Sequence, residues 1–102
     1  MFTLEAVQNE IKEAVAFYQF TAKRAAIWEQ IVYNLTQRIN EIEAQCPGFE
    51  PNDWICNRKL DDAYRAYDEA VEVQNHLDET LEREEQRIEA LQKLIDYYKA
   101  QE

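Results

Sequence analysis

The residues that break helices are confined to one short stretch of this chain. Both prolines, Pro47 and Pro51, and the single glycine, Gly48, fall within residues 46–53. A chain with so few turn formers cannot make the many connections of an all-β or α/β fold. Pro47 biases Cys46 away from the helical region, which ends a helix there. The expected layout is all-α: a helix over about 3–45, a loop over about 46–53 and a helix over about 54–101. The 102 residues suffice for a single domain. Thr3 can cap the first helix, with Phe2 and Val7 placed as a hydrophobic staple. Asn52 or Asp53 can cap the second, with Asn57 as a later candidate.

Helices of this length, about 65 Å each at 1.5 Å per residue, call for a coiled coil. The first carries an apolar series at alternating spacings of three and four: Leu4, Val7, Ile11, Ala14, Tyr18, Thr21, Ala25, Trp28, Val32, Leu35, Ile39, Ile42 and Cys46. The second repeats it: Leu60, Ala63, Tyr67, Ala70, Gln74, Leu77, Leu81, Glu84, Ile88, Leu91, Ile95 and Tyr98. In an antiparallel hairpin, facing seam residues have numbers that add to a constant. With 102 as that constant, every seam residue of one helix meets one of the other, from Leu4 with Tyr98 to Ile42 with Leu60. Large side chains then tend to oppose small ones, as close packing requires. The two polar positions face aromatics. Glu84 is expected to accept from the Tyr18 hydroxyl, and Gln74 to meet the Trp28 indole N–H.

The same register sets Cys46 against Cys56. Two readings stand: a disulfide that closes the loop, or two reduced, half-buried thiols. The spacing resembles that of the twin Cys-x9-Cys hairpins of mitochondria. Those need two such pairs within helices, and this chain has one pair across a Pro/Gly loop.

Composition narrows the function. The formal net charge is −10. An acidic surface repels nucleic-acid phosphate and anionic lipid, so direct nucleic-acid binding and membrane binding are not expected. A protein partner with a basic surface is the complementary expectation. No run approaches the roughly 18 apolar residues of a membrane span. The first residues lack the basic and apolar segments of a signal peptide, which suggests a cytoplasmic protein. His76 shares a helix face with Glu72 and Glu79, but one imidazole and two carboxylates on an exposed helix do not converge as metal ligands do. No phosphate loop, nucleophile elbow or zinc spacing is present. A two-helix hairpin also leaves little room for a ligand pocket of roughly 300 Å³ or more. The expectation is a non-enzymatic protein with neither metal nor cofactor.

Two surfaces stand out. Phe17, Phe20, Ile27 and Ile31, interrupted by Arg24, make a second apolar stripe on the first helix. The pairing sets it beside Val73, His76, Ala90, Leu94 and Tyr97. This apolar side is the expected partner interface, and two hairpins joined through it would give a homodimeric four-helix bundle. The opposite flank, with Glu29, Glu43, Asp78 and Glu85, is more charged. Acidic residues are densest in Asp68, Glu69, Glu72, Asp78, Glu79, Glu82, Glu84 and Glu85, against Arg83. Such an array can be a solvated face or can imitate duplex phosphate, as small viral inhibitors of host nucleases do. A small viral or mobile-element inhibitor of a host complex is therefore the leading expectation. A structural coiled-coil component of a larger assembly is the alternative. Phe49, Trp54 and Ile55 crowd the loop, where the expectation is an apolar plug over the hairpin end and the alternative an exposed docking tip.

A further resemblance rests on Tyr98 and Glu102, which fit Tyr-x-x-x-Asp/Glu near the C-terminus. Together with the length, acidity and central turn, they look like the small substrates of type VII secretion. That family also carries Trp-x-Gly in its turn, whereas Trp54 is followed by Ile55 and Cys56. The resemblance implies a secreted helical hairpin.

Overall fold

The computed structural model describes residues 3–46 and 54–101. It contains α1, Leu4–Gln45, and α2, Trp54–Ala100, packed against each other as a helical hairpin, with no strand among the described residues. The Thr3 hydroxyl accepts from the Ala6 amide at 3.1 Å, and the Thr3 carbonyl accepts from Val7 N–H at 3.1 Å. Thr3 is thus the cap of α1, satisfying amides that the helix cannot. Phe2, Asn52 and Asp53 lie outside the described residues. Asn57 sits inside α2 and is not its cap. At the other end of α1 the Cys46 amide still reaches the Ile42 carbonyl at 2.9 Å, and the helix stops before Pro47.

The packing groups into two units, through each of which both helices pass. The first holds residues 3–25 and 76–101. Its interior is Val7, Ala14, Thr21, Leu77 and Ile95, all buried. The second holds residues 26–46 and 54–75. There Ile39, Ile42 and Ala63 form a buried cluster, with Cys46, Leu60 and Tyr67 packed around it, and Ala70 is buried as well. This cluster brings together seam positions that the hairpin register pairs, Ile39 with Ala63 and Ile42 with Leu60. Among the described residues every buried one lies on the seam, and no seam residue is exposed. Small side chains dominate the most buried positions because a pair of helices has one contact line. Val7, Ala14, Thr21 and Ala70 sit on that line and are the least exposed, and Ile39, Ile42, Leu77 and Ile95 are buried there as well. Larger ones such as Leu81, Leu91 and Trp28 reach past it and remain half-buried.

The polar seam positions differ from expectation. Among the described residues no hydrogen bond joins Tyr18 to Glu84 or Trp28 to Gln74. Glu84 instead lies toward Arg87, one turn on, with 3.9 Å between Oε2 and Nη1. At that distance the two charges attract without a hydrogen bond between them. Arg87 donates its hydrogen bond elsewhere, from Nη2 to Glu10 Oε2 of α1 at 2.9 Å. Glu84 Oε2 is left buried without a hydrogen-bond partner.

Candidate interaction faces

Heptad letters place every surface residue, with a and d on the seam. In an antiparallel pair the g positions of the two helices share one flank and the e positions share the other. Two contacts show this. In the first unit Glu10 and Arg87, both g, form the ion pair just described. In the second, Tyr64 and Glu43, both e, are joined by a hydrogen bond of 2.6 Å from the phenol to Oε1. That bond holds the Tyr64 proton, so its pKa rises above the ordinary 10.0. Desolvation and the Glu43 charge push the same way.

The c and g flank carries the apolar stripe. In the first unit Phe17 is 47% exposed, Phe20 57% and Tyr97 59%. Leu94 is half-buried, and His76 and Ala90 are exposed. The Arg24 guanidinium lies 5.8 Å from the Phe20 ring centre, so the residue that interrupts the stripe covers part of it. Tyr97 meets Tyr98 edge to face, with centroids 5.9 Å apart. In the second unit Ile27 is 60% exposed, while Ile31 and Val73 are half-buried. The flank is less uniformly apolar than the stripe suggests, because the Glu10–Arg87 pair crosses it. Beside that pair opens a concavity of about 360 Å³ lined by Val7, Leu91 and Leu94. The second unit has a smaller hollow of about 240 Å³, where Ala63 and Ala66 lie opposite Leu35 among Arg38, Lys59 and Asp62.

The acidic residues sort by flank more sharply than by sequence. Asp68, Glu69 and Glu72 of the second unit, and Asp78, Glu79, Glu82 and Glu85 of the first, are all exposed. None of them takes part in an ion pair among the described residues. They do not make one face, however. Asp68, Asp78, Glu82 and Glu85 fall on the b and e flank, Glu72 and Glu79 on the outer f positions, and Glu69 on the apolar flank. Counting both helices, the b and e flank of the first unit carries Glu5, Asp78, Glu82, Glu85, Glu89 and Asp96 against Lys12 and Lys99. In the second unit it carries Glu29, Glu43, Asp61 and Asp68 with no lysine or arginine. The c and g flank is nearly balanced in each. Glu10 and Glu13 are set against Arg24, Arg83 and Arg87 in the first, and Glu41, Asp62 and Glu69 against Arg38 and Lys59 in the second. A linear count of acidic density misses this sorting; the heptad letter of each charge reveals it.

The loop end also departs from expectation. Trp54 is 64% exposed and Ile55 51%, so neither is tucked in as a plug. Phe49 lies outside the described residues. The structure joins Cys46 to Cys56 as a disulfide with Cα atoms 6.1 Å apart. Among the described residues no group of three or more His, Cys, Asp or Glu side chains could hold a metal ion. Among the described residues no helix is long and apolar enough to cross a membrane. Comparison with protein-family models, with curated proteins and with solved structures finds no match to this chain.

Proposed function

We propose that the chain is a non-enzymatic protein-interaction module that works through its two unlike flanks. The observation that carries this reading is the pair of half-exposed rings, Phe17 and Phe20, on the one flank whose charges balance. Large apolar side chains left open on a charge-balanced surface favour burial against another protein. The partner proposed for this flank is a second copy, giving a four-helix bundle. Like-charge repulsion is small there because the excess carboxylates lie on the other flank of each hairpin. Two copies paired in this way would leave the b and e flanks outward, as a negative surface suited to a basic protein site. An inhibitor that occupies a site shaped for duplex phosphate is the form of this function the acidic flank favours.

Sedimentation velocity tests the pairing. The wild type is expected at the mass of a dimer, and Phe20→Glu/Ile27→Glu at that of a monomer with unchanged helicity by circular dichroism. A wild-type monomer, or a double variant that remains dimeric, would remove the c and g flank as the self-association surface.

A further inference from the structure

On the apolar flank of the first unit, one stretch of α1 has the same spacing read in either direction. Glu13 lies four residues before Phe17, Phe20 three after Phe17, and Arg24 four after Phe20. Residues three and four apart are neighbours on a helix surface, so the four side chains share one stripe. That stripe carries a carboxylate at one end, a guanidinium at the other and two half-exposed rings between them. Glu13 is exposed and takes part in no ion pair among the described residues. The Arg24 guanidinium lies 5.8 Å from the centre of the Phe20 ring, a contact that holds it on the stripe without neutralising it. Glu10 and Arg87 differ from this pair, because they already bond each other at 2.9 Å.

We propose that two copies pair with α1 laid antiparallel on the partner's α1, about a two-fold axis between Phe17 and Phe20. The arrangement rests on the reading of the c and g flank as a self-association surface and gives that surface its geometry. A two-fold axis makes one surface meet itself, so each contact occurs twice. Centred midway between the rings, it sets Phe17 against the partner's Phe20 and Glu13 against the partner's Arg24. Two α1 helices laid in parallel would instead set Glu13 on Glu13 and Arg24 on Arg24. A two-fold along the helices would lay α1 on the partner's α2. Arg24 would then face a half-flank whose charged residues are Arg83 and Arg87, with no carboxylate. The rings supply the apolar burial that drives pairing. Exposed ion pairs add little strength, but like charges brought together are costly, so the end charges select the orientation.

Sedimentation velocity over a concentration series at low ionic strength reads the dissociation constant of the dimer. Glu13→Arg and Arg24→Glu each turn both end contacts into like-charge contacts. Each is expected to raise that constant by about tenfold or more, with helicity by circular dichroism unchanged. An equimolar mixture of the two variants has opposite charges at both ends again. It should return to within about threefold of the wild type, as should Glu13→Arg/Arg24→Glu in one chain. Arg83→Glu should leave the constant unchanged or lower it. A wild type that stays monomeric would remove the self-association surface altogether. A wild-type dimer that neither single variant weakens, or variants that fail to recover on mixing, would overturn the α1-on-α1 arrangement alone. Weakening by Arg83→Glu with none by Arg24→Glu would overturn it in favour of the axis along the helices.

Discussion

At the scale of single residues, two polar side chains, Glu84 and Tyr64, behave differently. Glu84 occupies a d position with one carboxylate oxygen buried and unbonded, and the nearest charge is the Arg87 guanidinium at 3.9 Å. A carboxylate in such a place costs desolvation that a single distant cation does not repay. Glu84→Leu should therefore raise the thermal midpoint, by a stability gain of about 1 kcal/mol from the removed penalty and the added apolar contact. Arg87 keeps Glu10 as its partner in that variant. A lower midpoint in thermal unfolding would show that the carboxylate contributes more than it costs. Tyr64 is the opposite case, since its hydrogen bond to Glu43 requires the proton. Its folded pKa is raised above the unfolded 10.0, so the stabilisation is complete below pH 10.0 and is lost as pH climbs through the raised value. The difference in thermal midpoint between wild type and Tyr64→Phe should be largest at neutral pH and shrink in the alkaline range. A difference that stays constant across that range would show that the bond does not contribute.

At the scale of the elements, the sequence is nearly sufficient. Pro47, Gly48 and Pro51 act locally through backbone sterics, so they locate the helix ends from sequence alone. The seam follows from a repeat of three and four that the helix geometry must honour, and each seam residue from Leu4 to Tyr98 is shielded as the repeat requires. The facing of Ile39 with Ala63, and of Cys46 with Cys56, also follows from a single register. Rotamer choice does not follow. Glu84 can point across the seam to Tyr18 or along its own helix to Arg87, and nothing in the spacing decides between them. Trp54 and Ile55 were misplaced for a related reason. An apolar residue near a loop is read as covered, yet at the first turn of α2 they occupy b and c positions that face away from α1. The apolar stripe was legible as a pattern, but the ion pair and the concavity beside Val7 depend on where side chains end. Charge sorting was present in the sequence throughout and needed the heptad letter of each residue.

For the molecule as a whole, a net charge of −10 sets a condition on every association it makes. If the charge were spread evenly, pairing of two copies and capture of a basic partner would both respond strongly to salt. With the excess on the b and e flank of each unit, the two events should respond in different directions. The proposed self-association through Phe20 and Ile27 would bury a balanced surface, so added salt should leave it unchanged or tighten it by screening the residual repulsion. The proposed capture of a basic protein would rest on unpaired carboxylates exposed to solvent, and a Debye length that falls from about 10 Å at 0.1 M to about 3 Å at 1 M should abolish it. Sedimentation across a salt series, run beside affinity capture from native lysate at low and high salt, reads both. Asp78→Lys/Glu85→Lys reverses charge on the acidic flank of the first unit alone. It should reduce capture at low salt and leave the sedimenting mass unchanged. Retention of the captured protein at high salt would assign that contact to the apolar flank, and Phe20→Glu/Ile27→Glu should then release it.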